Sequence, residues 1–184
     1  MSEFIGIMVA ICAFWHVVSF AFGLVYIHFS LKSLVGIIPY DQSWKIVIRS
    51  SDLHLWLSGI GLILLGTLEN DIDVYIDNPK LLCKVTVIMV WFFSTQAIRH
   101  YAVPKLQRDN PKPMLYLSSI NLACWIYGAI LGCAKPLAGI VPYSAFLAGF
   151  FVVITLCFLA LMPLKAKAKR QCLRRKSTSN INSI

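Results

Sequence analysis

The 184 residues are 58% hydrophobic and 14% charged, whereas soluble domains average about 45–50% apolar and roughly 25% charged. A soluble fold of this length cannot cover so much apolar surface, so lipid must be the solvent for much of the chain. Seventeen Lys and Arg against eight Asp and Glu give a net charge of +9. Seven of these basic residues fall between Lys165 and Lys176, directly after an apolar segment. That placement meets anionic lipid headgroups and argues against nucleic acid as the partner.

In chain order, the first apolar segment covers about residues 4–29. It is too long for a signal peptide and carries Glu3 where a signal peptide has Lys or Arg, so it is read as a membrane span. The next stretch is polar, with Lys32, Pro39, Asp41, Lys45 and Arg49, and suits a loop with a short amphipathic helix at Trp44–Ile48 in the interface. The second span is placed at about 50–68. Its apolar core, Leu53–Leu68, would be only about 24 Å long as a helix, so it should extend backwards into the preceding turn. Asp52, Gly59 and Gly66 recur every seven residues, a narrow small-residue face that lets another helix come close.

An acidic loop follows, with Glu69, Asn70, Asp71, Asp73 and Asp77. Asn78-Pro79 is an N-cap with proline at the first helical position, opening a third span at about 79–103 that Pro104 should end. The fourth span is placed at about 113–134, ahead of Lys135-Pro136. The fifth is placed at about 142–162, closed by Pro163. The sequence therefore predicts an all-α integral membrane bundle of about five transmembrane helices over 1–164. A basic tail, 165–184, should be partly disordered from Ser177 onwards.

Loop charges set the orientation. One side holds Lys32, Lys45, Arg49, Lys105, Arg108, Lys112 and the tail; the other holds Glu3, the acidic loop with Lys80, and Lys135. The positive-inside rule puts the first set in the cytoplasm, giving N-out and C-in. The six cysteines include no CxxC, and most lie in or beside apolar runs, where a thiol behaves as a small hydrophobe. Cys83 and Cys133, both near the outer face, are the pair that could form a disulfide.

Ionisable groups inside a membrane are costly and mark functional candidates. The set is His16, His28, His54, Lys84, Arg99 and His100. His16 is about 18 Å along its helix from Phe4, near mid-bilayer, and needs a partner such as Ser19, Asn121 or a ligand. His28, His54 and His100 lie at one depth towards the cytoplasmic face and suit either interfacial placement or a shared metal or haem iron. Lys84 either snorkels to the outer headgroups or pairs with a carboxylate. On a helical wheel it shares a side with Trp91, Thr95 and Arg99, and Arg99 beside His100 suits a headgroup or a carboxylate. There is no GxSxG, Walker loop or HExxH. The methionines form no MxxM, which counts against copper import.

Three stretches, FWHVVSFAFGLVYIHF, SSDLHLWLSGIGLILLG and NPKLLCKVTVIMVWFFSTQAIRHYAVPKL, span Phe14–Leu106. Together they resemble a group of small bacterial multi-helix membrane proteins related to both HemJ-type protoporphyrinogen oxidases and CopD-like membrane proteins. A fifth helix and the basic tail are additional to the HemJ pattern. The HemJ resemblance implies bound haem b, with a functional His in the first helix and a functional Lys near the start of the third. Those positions fall on His16 and Lys84.

The leading expectation is thus a haem- or porphyrin-associated oxidoreductase of the bacterial inner membrane. His16 and Lys84 would be its catalytic pair. His28, His54, Arg99 and His100 would be further cofactor contacts, and His16 and His100 candidate metal ligands. A CopD-like metal transport or resistance protein, and a non-catalytic assembly subunit, stand beside it. The partners expected are the bilayer, anionic headgroups at the tail, a porphyrin or haem, and a second copy of the chain.

Overall fold

The computed structural model describes residues 2–34, 44–69, 77–107, 110, 112–134, 137 and 140–181. Side chains are described for most of these up to residue 163. The elements are α1 (Ser2–Leu34), α2 (Trp44–Glu69), α3 (Pro79–Ala97), a π-helical turn (Ile98–Ala102), α4 (Val103–Gln107), α5 (Lys112–Cys133) and α6 (Tyr143–Ile181). Among the described residues, five helical stretches are long and apolar enough to cross a membrane: Glu3–Val25, Ser50–Leu68, Pro79–Leu106, Lys112–Cys133 and Tyr143–Pro163. The chain is an all-α integral membrane protein.

Several helix ends follow the sequence signals. α3 opens at Pro79, and the Pro142 carbonyl accepts from Ala145 N at 3.1 Å and Phe146 N at 3.3 Å to start α6. The backward extension of the second span is also present. α2 already begins at Trp44, so the stretch expected as a separate interfacial helix is its first turns.

Two prolines do not end helices as expected. Pro104 lies inside α4, preceded by the π-turn, in which the Val103 N–H donates to the Ile98 carbonyl five residues back. A proline ring in a regular helix collides with the carbonyl four residues earlier, and a widened turn relieves that collision. Pro163 lies inside α6, which continues to Ile181. Residues 164–176 are Leu, Ala, Lys, Arg and Gln apart from one Cys, nearly all strong helix formers, so losing one backbone hydrogen bond at Pro163 does not stop propagation. The tail expected to be partly disordered is therefore helical through Ile181.

The contacts divide the chain into two units, one built on α1 and α2 and the other on α3 to α6. In the first, Cys12 lies by Gly61, His16 by Ser58, and Trp15 by His54, so α1 and α2 run antiparallel. A Cβ on Gly61 would stand 3.2 Å from Cys12 Sγ, tighter than ordinary contact, which is why glycine fits there.

In the second unit α5 is central: 56% of its span is buried, against 22% for the spans on either side. Trp91 of α3 meets Trp125 of α5 edge-on at 5.8 Å, and Tyr116 of α5 stacks on Phe158 of α6 at 5.3 Å. Tyr127 of α5 donates its hydroxyl to the Phe146 carbonyl. Where the π-turn meets α5 and α6, Ile98, Ala102, Met114, Leu115 and Leu161 form a buried apolar cluster.

Candidate functional site

His16 lies near the middle of the first span and is half-buried. Its Nδ1 is 3.0 Å from Oγ of Ser58, which is also near the middle of its own span. Ser58 has no exposed surface, and its hydroxyl donates along its own helix, to the carbonyls of His54 at 2.7 Å and Leu55 at 3.1 Å. A hydroxyl carries one proton and two lone pairs. Which of Oγ and Nδ1 donates between them depends on the tautomer of the imidazole. In the Nδ1–H tautomer the lone pair is on Nε2, the nitrogen through which histidine then ligates metals.

The neighbours of this pair leave room for the ring. A Cβ on Gly59 would stand 3.6 Å from His16 Cε1, at ordinary contact distance. His54, exposed, packs its ring against Trp15 with centroids 5.5 Å apart. The other partners considered for His16 are engaged elsewhere. Ser19 donates to the Trp15 carbonyl at 2.9 Å. Asn121 Nδ2 donates to Ser94 Oγ at 3.2 Å and Thr95 Oγ1 at 2.8 Å.

In the second unit, Lys84 is half-buried near the start of α3. Lys80, one turn earlier on the same side of the helix, is buried at 8% exposure. The loop-charge pattern treats Lys80 as an outer-loop charge and misses this burial; its spacing of four from Lys84 was the available signal. The polar stripe of α3 is partly explained by α5, since Thr95 accepts from Asn121.

Arg99 and His100 fall in the π-turn, and both are exposed together with Tyr101. Lys105 Nζ lies 5.6 Å from the centre of the Tyr101 ring. The side chain of His28 lies outside the described residues. Thus His16 and His54 belong to one hairpin and are linked through Ser58, while Arg99 and His100 are neighbours in the π-turn of the second unit.

No protein-family model, curated protein or solved structure matches the chain. Among the described residues, no group of three or more His, Cys, Asp or Glu is placed to hold a metal ion. A metal centre built from His16 or His100 with further protein ligands is therefore not present among them. A haem iron is a different case, since the porphyrin supplies four nitrogens and the protein only the axial ligand. Cys83 is buried, Cys133 is exposed, and both are free thiols, so the Cys83–Cys133 disulfide is absent.

Ser58 was not foreseen as the partner of His16. A serine in an apolar helix reads as neutral filler, and only the pairing of α1 with α2 turns it towards the imidazole.

Proposed function

We propose that the chain is a haem- or porphyrin-associated redox protein of the bacterial inner membrane, akin to HemJ-type proteins, with haem b held by His16. One observation carries this reading: the mid-membrane imidazole whose Nδ1 is held 3.0 Å from a buried hydroxyl. Ligating histidines nearly always donate their other ring N–H to an oxygen, which fixes the ring and its tautomer. The donor chemistry fits one axial ligand offered through Nε2. A bound haem supplies one-electron redox chemistry at that point, and the helices supply axial ligation, an apolar surround and access.

The resemblance of Phe14–Leu106 supports the same residue and implies a functional role for Lys84 near the start of α3. The loop charges support an N-out, C-in orientation, with the basic tail on anionic cytoplasmic headgroups. CopD-like metal transport is less well supported, because the methionines form no MxxM. An assembly subunit is the second reading, favoured by the first span, of which only 6% is buried within the chain.

The test is haem retention after purification in mild detergent, comparing the wild type with His16→Ala and His100→Ala. The proposal predicts that His16→Ala loses the haem while His100→Ala keeps it. Equal haem content in the wild type and His16→Ala would remove His16 as the ligand.

A further inference from the structure

We infer that Ser58 is a positioning residue that locks His16 in the Nδ1–H tautomer and so presents Nε2 as the ligating atom. The ligation half of this inference rests on the haem reading above; the tautomer half does not.

The argument begins with the serine. In a helix interior a serine hydroxyl commonly turns back to the carbonyl of the preceding turn, and Ser58 does so at 2.7 Å to His54. That bond fixes the position of Oγ and occupies its proton. Ser58 is completely buried, so water does not compete for the remaining lone pairs. A group bonded to them must be a donor, and the ring nitrogen at 3.0 Å is Nδ1 of His16. With its hydrogen on Nε2, the neutral ring would set the Nδ1 lone pair against an oxygen whose proton is already directed elsewhere. In the apolar middle of a membrane such a mismatch disfavours that tautomer.

The sequence places a second imidazole one turn before Ser58, and its role differs. His54 contributes its backbone carbonyl to the Ser58 hydroxyl, while its ring lies against Trp15. A substitution of the His54 side chain therefore leaves the chain from carbonyl to hydroxyl to Nδ1 intact. Removing the Ser58 hydroxyl breaks it. This separates the two residues by prediction.

The experiment uses the full-length chain in detergent, with histidine labelled by ¹⁵N, at a pH above the usual imidazole range of about 6.5. The His16 resonances are assigned by their disappearance in His16→Ala. The wild type should show a single tautomer with the hydrogen on Nδ1. Ser58→Ala should lose that preference, and His54→Ala should retain it. In parallel, haem supplied to Ser58→Ala should bind about 10–100-fold more weakly than to the wild type, the usual effect of removing the group that orients a ligating histidine.

A wild-type His16 carrying its hydrogen on Nε2 would overturn the inference, and that measurement needs no variant to fold. An unchanged tautomer in Ser58→Ala would overturn it as well. Haem binding that is equal in the wild type and Ser58→Ala would overturn the ligation half while leaving the haem reading intact. A wild type that binds no haem at all would remove the haem reading, and the ligation half with it. The tautomer spectrum would still decide whether Ser58 controls His16.

Discussion

The polar residues of the membrane interior divide into those that join helices and those that offer chemistry. Asn121 is of the first kind. It is buried, and its amide donates from α5 to both Ser94 and Thr95 of α3. The Ser94 hydroxyl also donates to its own helix, to the Trp91 carbonyl at 2.9 Å, so both hydroxyls of α3 act as acceptors towards α5. Interhelical hydrogen bonds of this kind average about 0.6 kcal/mol and reach about 1.7 kcal/mol in membrane proteins. Asn121→Leu, which keeps the volume and removes the amide, should therefore destabilise the chain by about 1 kcal/mol. A small fall in its thermal midpoint in detergent, with haem content unchanged, is the expected result. His16 is of the second kind: its Nδ1 meets the Ser58 hydroxyl, and the proposed ligation uses its other ring nitrogen. The depth of His16 was legible from its distance along the first helix, but its partner was not. Ser19 and Asn121 were the reasonable candidates, and each satisfies its own side chain locally or across a different helix pair.

At the scale of elements, periodicity and proline spacing located the spans because an apolar run bounded by polar loops has few alternatives in lipid. The misreadings came from treating proline as a terminator. Pro104 is accommodated by the π-turn. Pro163 is overrun by a strongly helix-forming sequence. The π-turn also has a consequence for the surface. With more residues per turn than an α-helix, it keeps Ile98 and Ala102 both on the core side while Arg99, His100 and Tyr101 all face outward.

The seven-residue spacing of Asp52, Gly59 and Gly66 pointed to close helix approach, but a Cβ on Gly59 would stand only at ordinary contact distance from His16. The tighter contact in the hairpin is at Gly61, which the heptad count skips. A larger side chain at Gly61 should push α1 away through Cys12. Gly61→Val is expected to lower the thermal midpoint and weaken haem retention, because it separates the hairpin that holds His16 against Ser58. Adding Cys12→Ala should recover part of both losses. If the double variant behaves no better than Gly61→Val alone, the two residues are not in contact.

At the scale of the whole molecule, the charge distribution predicts an orientation, and haem binding is the function proposed. Positive loops and tail on one side predict that a fluorescent protein fused after Ile184 folds and fluoresces in the cytoplasm. The same reporter exported to the outer side would stay dark, and a dark fusion would reverse the orientation. The central claim is that His16 holds a haem, and it is tested most directly by the absorption spectrum of the purified full-length chain, recorded oxidised and then after dithionite. A Soret band with α and β bands that sharpen on reduction is the predicted result. A featureless visible spectrum, from cells supplied with haem during expression, would contradict it.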